Sequence, residues 1–170
     1  ALVLTVSDLT LKNNQLGPKL CWVIKNIPEV AACMDRGDLR VGTLDSWLLY
    51  RLSGRKLHAT DASNASATGV FDPFGMVWSG IVKFMVYPFR YASTSVYPEV
   101  KRTADDFGTT DISLFGTKIP ICALAADQQA AMFGHGCDKK GDTKVTLGTG
   151  GFVNVNTGES ALASYGTLYP

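Results

Sequence analysis

Asp127 is the residue whose type and position most directly suggest chemistry. It lies between an apolar run at residues 119–124 and a helical pattern that begins at Gln128. A carboxylate between a buried strand and a helix can meet a ligand at the edge of an α/β sheet, and the helix N-terminus favours its ionised form. The more common role of such a residue is an N-cap that satisfies backbone N–H groups. The local sequence leaves both roles open.

A glycine-rich turn is the second feature with chemical potential. Gly148, Thr149 and Gly150 separate two segments in which apolar and polar residues alternate, and this alternation predicts a β-hairpin. Glycines let the backbone approach a ligand closely and turn N–H groups toward one point, so the turn suits phosphate. It matches neither a Walker loop nor a Rossmann fingerprint. A turn without a ligand is the commoner role of such a sequence.

The remaining reactive residue types point to structural roles. His58 and His135 are far apart, and neither has a second ligand at helical spacing, so we expect no metal site. The cysteines lack a Cys-x-x-Cys spacing and have apolar or glycine neighbours, which predicts buried free thiols in a reducing compartment. The tryptophans fall on apolar faces and are expected in the core. These residues are Cys21, Cys33, Cys122, Cys137, Trp22, Trp47 and Trp78.

Composition indicates a globular chain without an extended charged surface. Its 170 residues are 46% hydrophobic, and 16 basic residues balance 15 acidic ones. This charge disfavours nucleic acid as a partner. No apolar run reaches the roughly 18 residues of a membrane span, so we expect a cytoplasmic protein. The absence of a starting methionine and the abrupt end at Pro170 suggest an internal part of a longer protein.

The pattern of elements predicts an α/β fold. Helices are expected from Pro18, from Pro28 to Gly37 and from Thr43 to Gly54, and the third should bury one apolar face. That face is Leu44, Trp47, Leu48 and Leu52.

Further elements are predicted on both sides of this helix. We expect a short strand at 39–41, a helix at 62–69 capped by Thr60 or Asp61, and a turn at 71–75. Beyond them we expect a helix at 80–87, a buried strand at 119–124 and a helix at 128–133. The polar stretch 137–142 reads as a connection between two halves.

Several segments together resemble the glycerol kinases of the FGGY carbohydrate kinase family. They are residues 126–134, 147–152 and 156–158, with weaker blocks at 42–48 and 58–66. The resemblance covers nearly the whole chain. It implies a ribonuclease H-like, actin-like ATPase fold, with residues 1–137 ending the first, substrate-binding domain and residues 138–170 beginning the second, ATP-binding domain.

The resemblance also implies an activity and a set of site residues. The full-length protein would phosphorylate glycerol to sn-glycerol 3-phosphate with ATP and Mg²⁺, and Asp127 would be the catalytic base. Gln128 would bind a glycerol hydroxyl, and Phe152 would form an apolar wall of the glycerol pocket. Gly148, Thr149 and Gly150 would contact the nucleotide phosphates. A homo-oligomeric full-length protein is compatible with the resemblance.

One departure from the family keeps alternatives open. Glycerol kinases carry an aromatic substrate contact a few positions before a Lys-x-x-Trp block, whereas this chain has Asn14 nearest that place, before Lys19 and Trp22. The chain also lacks the family's amino-terminal phosphate loop, its Arg-Glu pair and the adenine-binding half of the second domain, so we expect it to be inactive alone. The alternatives are an FGGY kinase for another polyol or sugar, or an inactive nucleotide-binding scaffold.

Overall fold

The computed structural model describes residues 15–80, 96–159 and 162 of the chain. The chain divides into two compact units. The larger unit is Leu9–Leu124, and the smaller unit contains Ala125–Pro170. The described helices are α1 (Leu16–Asn26), α2 (Pro28–Asp35), α3 (Leu44–Leu52), α4 (Ala62–Ser66), α5 (Ile112–Phe115) and α6 (Asp127–Gly134). The described strands are β1 (Ala59–Asp61), β2 (Phe71–Asp72), β3 (Val77–Trp78), β4 (Glu99–Lys101), β5 (Thr143–Leu147) and β6 (Gly151–Val155).

The described part of the larger unit is built around two short two-stranded sheets and two apolar clusters. Strands β1 and β4 pair in parallel, and β2 and β3 pair antiparallel. One buried cluster joins α1 to the segments that flank the strands, and the second lies beneath α3. The first cluster contains Leu20, Ile24, Val41, Val70, Val96 and Tyr97, and the second contains Leu49, Ala59 and Phe107.

The predicted first two helices are confirmed, and their starts follow the proline positions. Pro18 lies in the first turn of α1, where its missing N–H costs no helical hydrogen bond. Pro28 is the first residue of α2. The expected strand at 39–41 is wrong, because this segment is not part of a regular ladder, although the Val41 N–H donates a hydrogen bond to Val96 O.

Helix α3 forms as predicted but buries a different face. Leu49 is 1% exposed and Ser46 is 2% exposed, whereas Trp47 is 57% exposed and Leu48 is 44% exposed. The reason is tertiary, because α3 packs on β1 and Leu49 meets the small side chain of Ala59 there. In α3, contact with β1 therefore determines the buried face, and the largest apolar side chains of the helix do not.

Asp61 caps α4, which confirms one of the two expected caps. Its carboxylate accepts hydrogen bonds from the backbone N–H groups of Ser63 and Asn64. Thr103 donates its hydroxyl to the same carboxylate at 2.8 Å, and this contact connects the cap to the segment after β4. The second candidate, Thr60, instead donates to Asp45 at 2.6 Å.

The apolar run at 119–124 is not the buried strand that its composition suggests. It makes only isolated antiparallel bridges, Ala104 to Ala123 and Thr109 to Pro120. Ile119 is 43% exposed. Backbone hydrogen bonds to residues 103–110 hold the run extended. Ile121 and Leu124 pack half-buried against the second cluster, so the run is covered only in part.

Two expectations about single residue types are also corrected. All four cysteines are free, but Cys122 is exposed and the other three are half-buried. Trp78 is a core residue, since it stacks on Tyr97 at 4.7 Å between ring centroids. Trp22 is 61% exposed, so it does not pack in the core of the described residues. The expected turn at 71–75 is confirmed in part, because Phe71–Asp72 form β2 and the turn occupies residues 73–76. The expected helix at 80–87 lies almost wholly outside the described residues.

The smaller unit contains α6 and an antiparallel hairpin. The hairpin pairs β5 with β6 in the register Val145 to Val153, and residues 148–150 form its turn. The predicted helix and the predicted hairpin are both confirmed. Within the described ranges, every helix is too short or too polar to cross a bilayer.

Candidate active site

Asp127 is the first residue of α6 and has an exposed carboxylate. The N-cap position is occupied by Ala126, so the expectation that Asp127 is itself the N-cap is wrong. One carboxylate oxygen accepts the N–H of Gln128 at 2.8 Å. The other oxygen has no hydrogen-bond partner among the described residues. Asp127 therefore combines a helix N-terminus, which favours a negative charge, with an oxygen available to a ligand.

Gln128 is fixed by two residues of β5. The ammonium group of Lys144 donates to Gln128 Oε1 at 2.9 Å, and the hydroxyl of Thr146 donates to the same oxygen at 3.1 Å. Lys144 also donates to the Thr146 hydroxyl at 2.5 Å. These three side chains form a closed triangle that joins α6 to the hairpin.

The glycine turn presents an open backbone. A side chain added at Gly148 would meet nothing within 4 Å, so space remains for a ligand beside the backbone. The N–H of Gly148 donates across the turn to Gly150 O at 3.1 Å. The N–H groups of Thr149 and Gly150 have no acceptor in the described part of the chain. Two of the three backbone N–H groups of the turn are therefore available to an anion.

Phe152 connects the turn to the rest of the site. Its ring lies 3.1 Å from where a Cβ of Gly150 would be, so a larger residue at Gly150 would displace the ring. The strand register also pairs Phe152 with Thr146. A continuous set of contacts therefore runs from Gln128 through Thr146 and Phe152 to the turn.

All six residues expected at the site from the sequence lie in the smaller unit. Sequence reasoning missed Lys144 and Thr146. The available signal was their equal parity on β5, which places them on one face of the hairpin. Asn14, the position of the departure from the glycerol kinases, lies outside the described residues.

The larger unit has a groove unrelated to these residues. It lies between α3 and α5 with a volume of about 400 Å³, and Trp47, Arg51 and Leu114 are among its lining residues. Its lining includes none of the candidate site residues.

Polar groups buried in the larger unit have shifted ionisation. Burial lowers the pKa of His58, although its hydrogen bond to Val41 O opposes this change. Burial would raise the pKa of Asp61, but the hydrogen bonds from Ser63, Asn64 and Thr103 together lower it below its ordinary value. Both groups hold local structure, and neither belongs to the candidate site.

The described residues contain no cluster of three or more His, Cys, Asp or Glu side chains that could hold a metal ion. Mg²⁺ does not require such a cage in nucleotide sites, because it keeps several waters and uses one or two carboxylates together with phosphate oxygens. The free N–H groups of the turn fit the phosphate oxygens of a nucleotide that brings its magnesium ion with it.

Comparison with known proteins gives a consistent result. Residues 5–134 match the FGGY family of carbohydrate kinases, N-terminal domain. Glycerol kinase 5 of Gallus gallus is 48% identical over 167 residues, which are 98% of this chain and 32% of that protein. Glycerol kinase 5 of Homo sapiens is 43% identical over 98% of this chain and 31% of that protein. The chain thus spans about a third of the length of these relatives.

A solved structure shows the same architecture. The glycerol kinase of Plasmodium falciparum, crystallised with ADP, aligns with 96% of this chain and 34% of its own, with a TM-score of 0.79 and 29% identity. The predicted α/β, actin-like fold and the resemblance stated from the motifs are both confirmed.

Proposed function

We propose, since this chain belongs to the FGGY family of carbohydrate kinases, that the full-length protein transfers the γ-phosphoryl group of ATP to glycerol and forms sn-glycerol 3-phosphate. The similarity to proteins named glycerol kinase supports this substrate. The exposed carboxylate of Asp127, with one oxygen free among the described residues, is the observation that carries the proposal.

Each residue of the candidate site has a proposed role. Asp127 orients the attacking primary hydroxyl and accepts its proton, and Gln128 binds a hydroxyl of glycerol. Phe152, half exposed beside the turn, covers the carbon chain of the substrate. Thr149 and Gly150 donate free backbone N–H groups to the nucleotide phosphates, and the open space at Gly148 lets the phosphates approach.

The reaction depends more on positioning than on proton removal. The hydroxyl oxygen forms a bond to the γ-phosphorus as the bond to the bridging oxygen breaks, and ADP leaves. A hydroxyl is a very weak acid, so its proton moves to Asp127 late in the step. Holding the hydroxyl in line and placing N–H donors at the phosphate oxygens supply most of the acceleration. Mg²⁺, when bound, would neutralise part of the negative charge on the phosphates.

The domain assignment follows the same proposal. Residues 1–137 form the end of the substrate domain, and residues 138–170 begin the ATP-binding domain. The two compact units of this chain divide after Leu124 instead, because that division reflects contacts within this chain alone.

Two further statements belong to the proposal. We place the protein in the cytoplasm, and the four free cysteines support a reducing compartment. A homo-oligomer of the full-length protein stays a prediction, which light scattering would measure.

Replacement of Asp127 is the direct test. In the full-length protein, Asp127→Asn removes the proton acceptor and keeps the shape, so kcat for glycerol should fall by about 10²–10⁴-fold. ADP release coupled to NADH oxidation measures the rate. Asp138→Asn is the matched control, since Asp138 is an exposed carboxylate in the connection that follows α6.

Two outcomes would contradict the proposal. Equal turnover by the Asp127 and Asp138 variants would remove Asp127 from the chemistry. ATP binding by the wild type without transfer to any polyol would favour a nucleotide-binding scaffold. A panel of polyols and sugars separates glycerol from another FGGY substrate, the alternative that Asn14 favours.

A further inference from the structure

Lys144 is a buried cation whose partners are neutral. Its side chain is 7% exposed, although lysine is rarely buried without a partner of opposite charge. Within the described residues, no carboxylate lies at ion-pair distance from it. Its ammonium group instead donates to Gln128 Oε1 and to the Thr146 hydroxyl.

This arrangement determines which way the Gln128 amide faces. The oxygen and nitrogen of a glutamine amide are usually assigned from their neighbours. An ammonium group can only donate hydrogen bonds, so the atom that faces Lys144 must be the oxygen. The Thr146 hydroxyl donates a hydrogen bond to the same oxygen at 3.1 Å and accepts a hydrogen bond from Lys144. The Gln128 nitrogen, with two donor hydrogens, is therefore turned away from this pair.

A fixed pair of donors suits an acceptor oxygen. Gln128 Nε2 has no hydrogen-bond partner in the described part of the chain. Gln128 directly follows Asp127, whose carboxylate is an acceptor when ionised. One hydroxyl of a polyol can donate to Asp127 while a second hydroxyl accepts from Gln128, so the two residues together select a diol.

We propose that Lys144 is a positioning residue that holds the Gln128 amide with its nitrogen toward a polyol hydroxyl. The inference rests on the proposed function and adds the group that sets the orientation of the substrate contact. Thr146 assists, and its place on β5 is fixed by pairing with Phe152. Lys144 acts through Gln128 and does not touch the substrate.

The hairpin register places one further polar side chain beside Lys144. Asn154 pairs with Lys144 across the strands, so both side chains lie on one face of the hairpin. Asn154 Oδ1 is buried without a donor among the described residues. Lys144 makes no hydrogen bond to this atom, so its partners among the described residues are the Gln128 oxygen and the Thr146 hydroxyl.

The test uses steady-state kinetics of the full-length protein. Lys144→Met keeps length and removes the donors, so KM for glycerol should rise about tenfold while KM for ATP changes less than about twofold. Lys144→Arg should restore most of the glycerol KM, because it keeps a buried donor. Lys139→Met is the matched control on an exposed lysine and should leave both KM values unchanged.

A double-mutant cycle separates positioning from general damage. If Lys144 acts through Gln128, then Lys144→Met adds no further loss of glycerol binding to Gln128→Ala. Additive losses, or equal rises in both KM values, would overturn the inference. Thr146→Val, a smaller change of shape, should raise the glycerol KM in the same direction, and an unchanged KM in this variant would also count against it.

Failure of the inference differs from failure of the proposed function. A wild type that phosphorylates no polyol overturns both. An active wild type with additive losses overturns the role of Lys144 alone. A neutron diffraction structure of Lys144→Met, which locates the amide hydrogens, should show the Gln128 amide in a different orientation, and an unchanged amide would contradict the inference without reference to activity.

Discussion

His58 is a half-buried base in the larger unit. Its Nε2 atom lies 3.0 Å from Val41 O, and because a carbonyl oxygen can only accept, the ring donates from Nε2 in its neutral form. Burial lowers its pKa in the folded protein. Histidine in an unfolded chain has a pKa of about 6.5. The unfolded chain therefore binds more protons between these two pKa values, so the free energy of unfolding falls as pH drops below about 6.5 and is unaffected above it.

The full-length protein should accordingly lose thermal stability on acidification through His58. Between pH 7.5 and 5.5, we expect the melting temperature of the wild type to fall about 1–3 °C further than that of His58→Gln, which keeps a donor for Val41 but does not titrate. Differential scanning calorimetry measures the difference. His135→Gln, on an exposed histidine, should show the same fall in melting temperature as the wild type. An equal fall in melting temperature for all three proteins would show that His58 does not cause the pH dependence.

Single residues differ in how far their roles could be predicted. The cap at Asp61 follows from the small residues after it, and the glycine turn follows from the alternation around it. Lys144 and Gln128 are 16 residues apart, so no local pattern indicates their contact. The free oxygen of Asp127 also depends on Ala126 being the N-cap, a difference of one residue that sequence patterns do not resolve.

At the scale of elements, helix α3 shows where periodicity is insufficient. Its existence follows from helical spacing, but apolar residues occur on more than one side of it. Packing on β1 selects the side that carries Leu49, where small side chains allow close approach. The prediction of a buried strand at 119–124 is wrong for a related reason. An apolar composition does not specify which other elements will cover a segment.

Adjacent leucines of α3 provide a direct test of this face. In the full-length protein, Leu49→Ala should lower the free energy of unfolding by about 2–5 kcal/mol, since the cavity left beside Ala59 and Phe107 is enclosed. Leu48→Ala, on the exposed side, should cost about 1 kcal/mol or less. Urea denaturation followed by circular dichroism measures both. Equal losses would show that the face is assigned wrongly.

At the scale of the whole molecule, this chain spans about a third of the length of its glycerol kinase 5 relatives. The glycerol kinase 5 proteins are about three times as long, since this chain covers 32% of the Gallus gallus protein. The six expected residues come from the smaller unit alone. The fold class could be predicted from motifs spread along the chain, whereas the contacts within the candidate site depend on how α6 packs on the hairpin.

The isolated 170-residue chain should therefore be inactive. We expect no glycerol-dependent ADP release from it above the rate of the full-length Asp127→Asn variant, because the phosphate and substrate contacts are incomplete. The same coupled assay compares the isolated chain with the full-length wild type at equal concentration. Measurable turnover by the isolated chain would mean that these 170 residues suffice for catalysis.

The hairpin of the smaller unit has a consequence for biosynthesis. Leu147 is 87% exposed and Val153 is 64% exposed, and each strand is paired on one edge only among the described residues. Open edges with apolar side chains recruit other strands. A folding intermediate of the full-length protein in which this hairpin is exposed would therefore pair with other chains. Chaperones that shield its open edges would reduce aggregation.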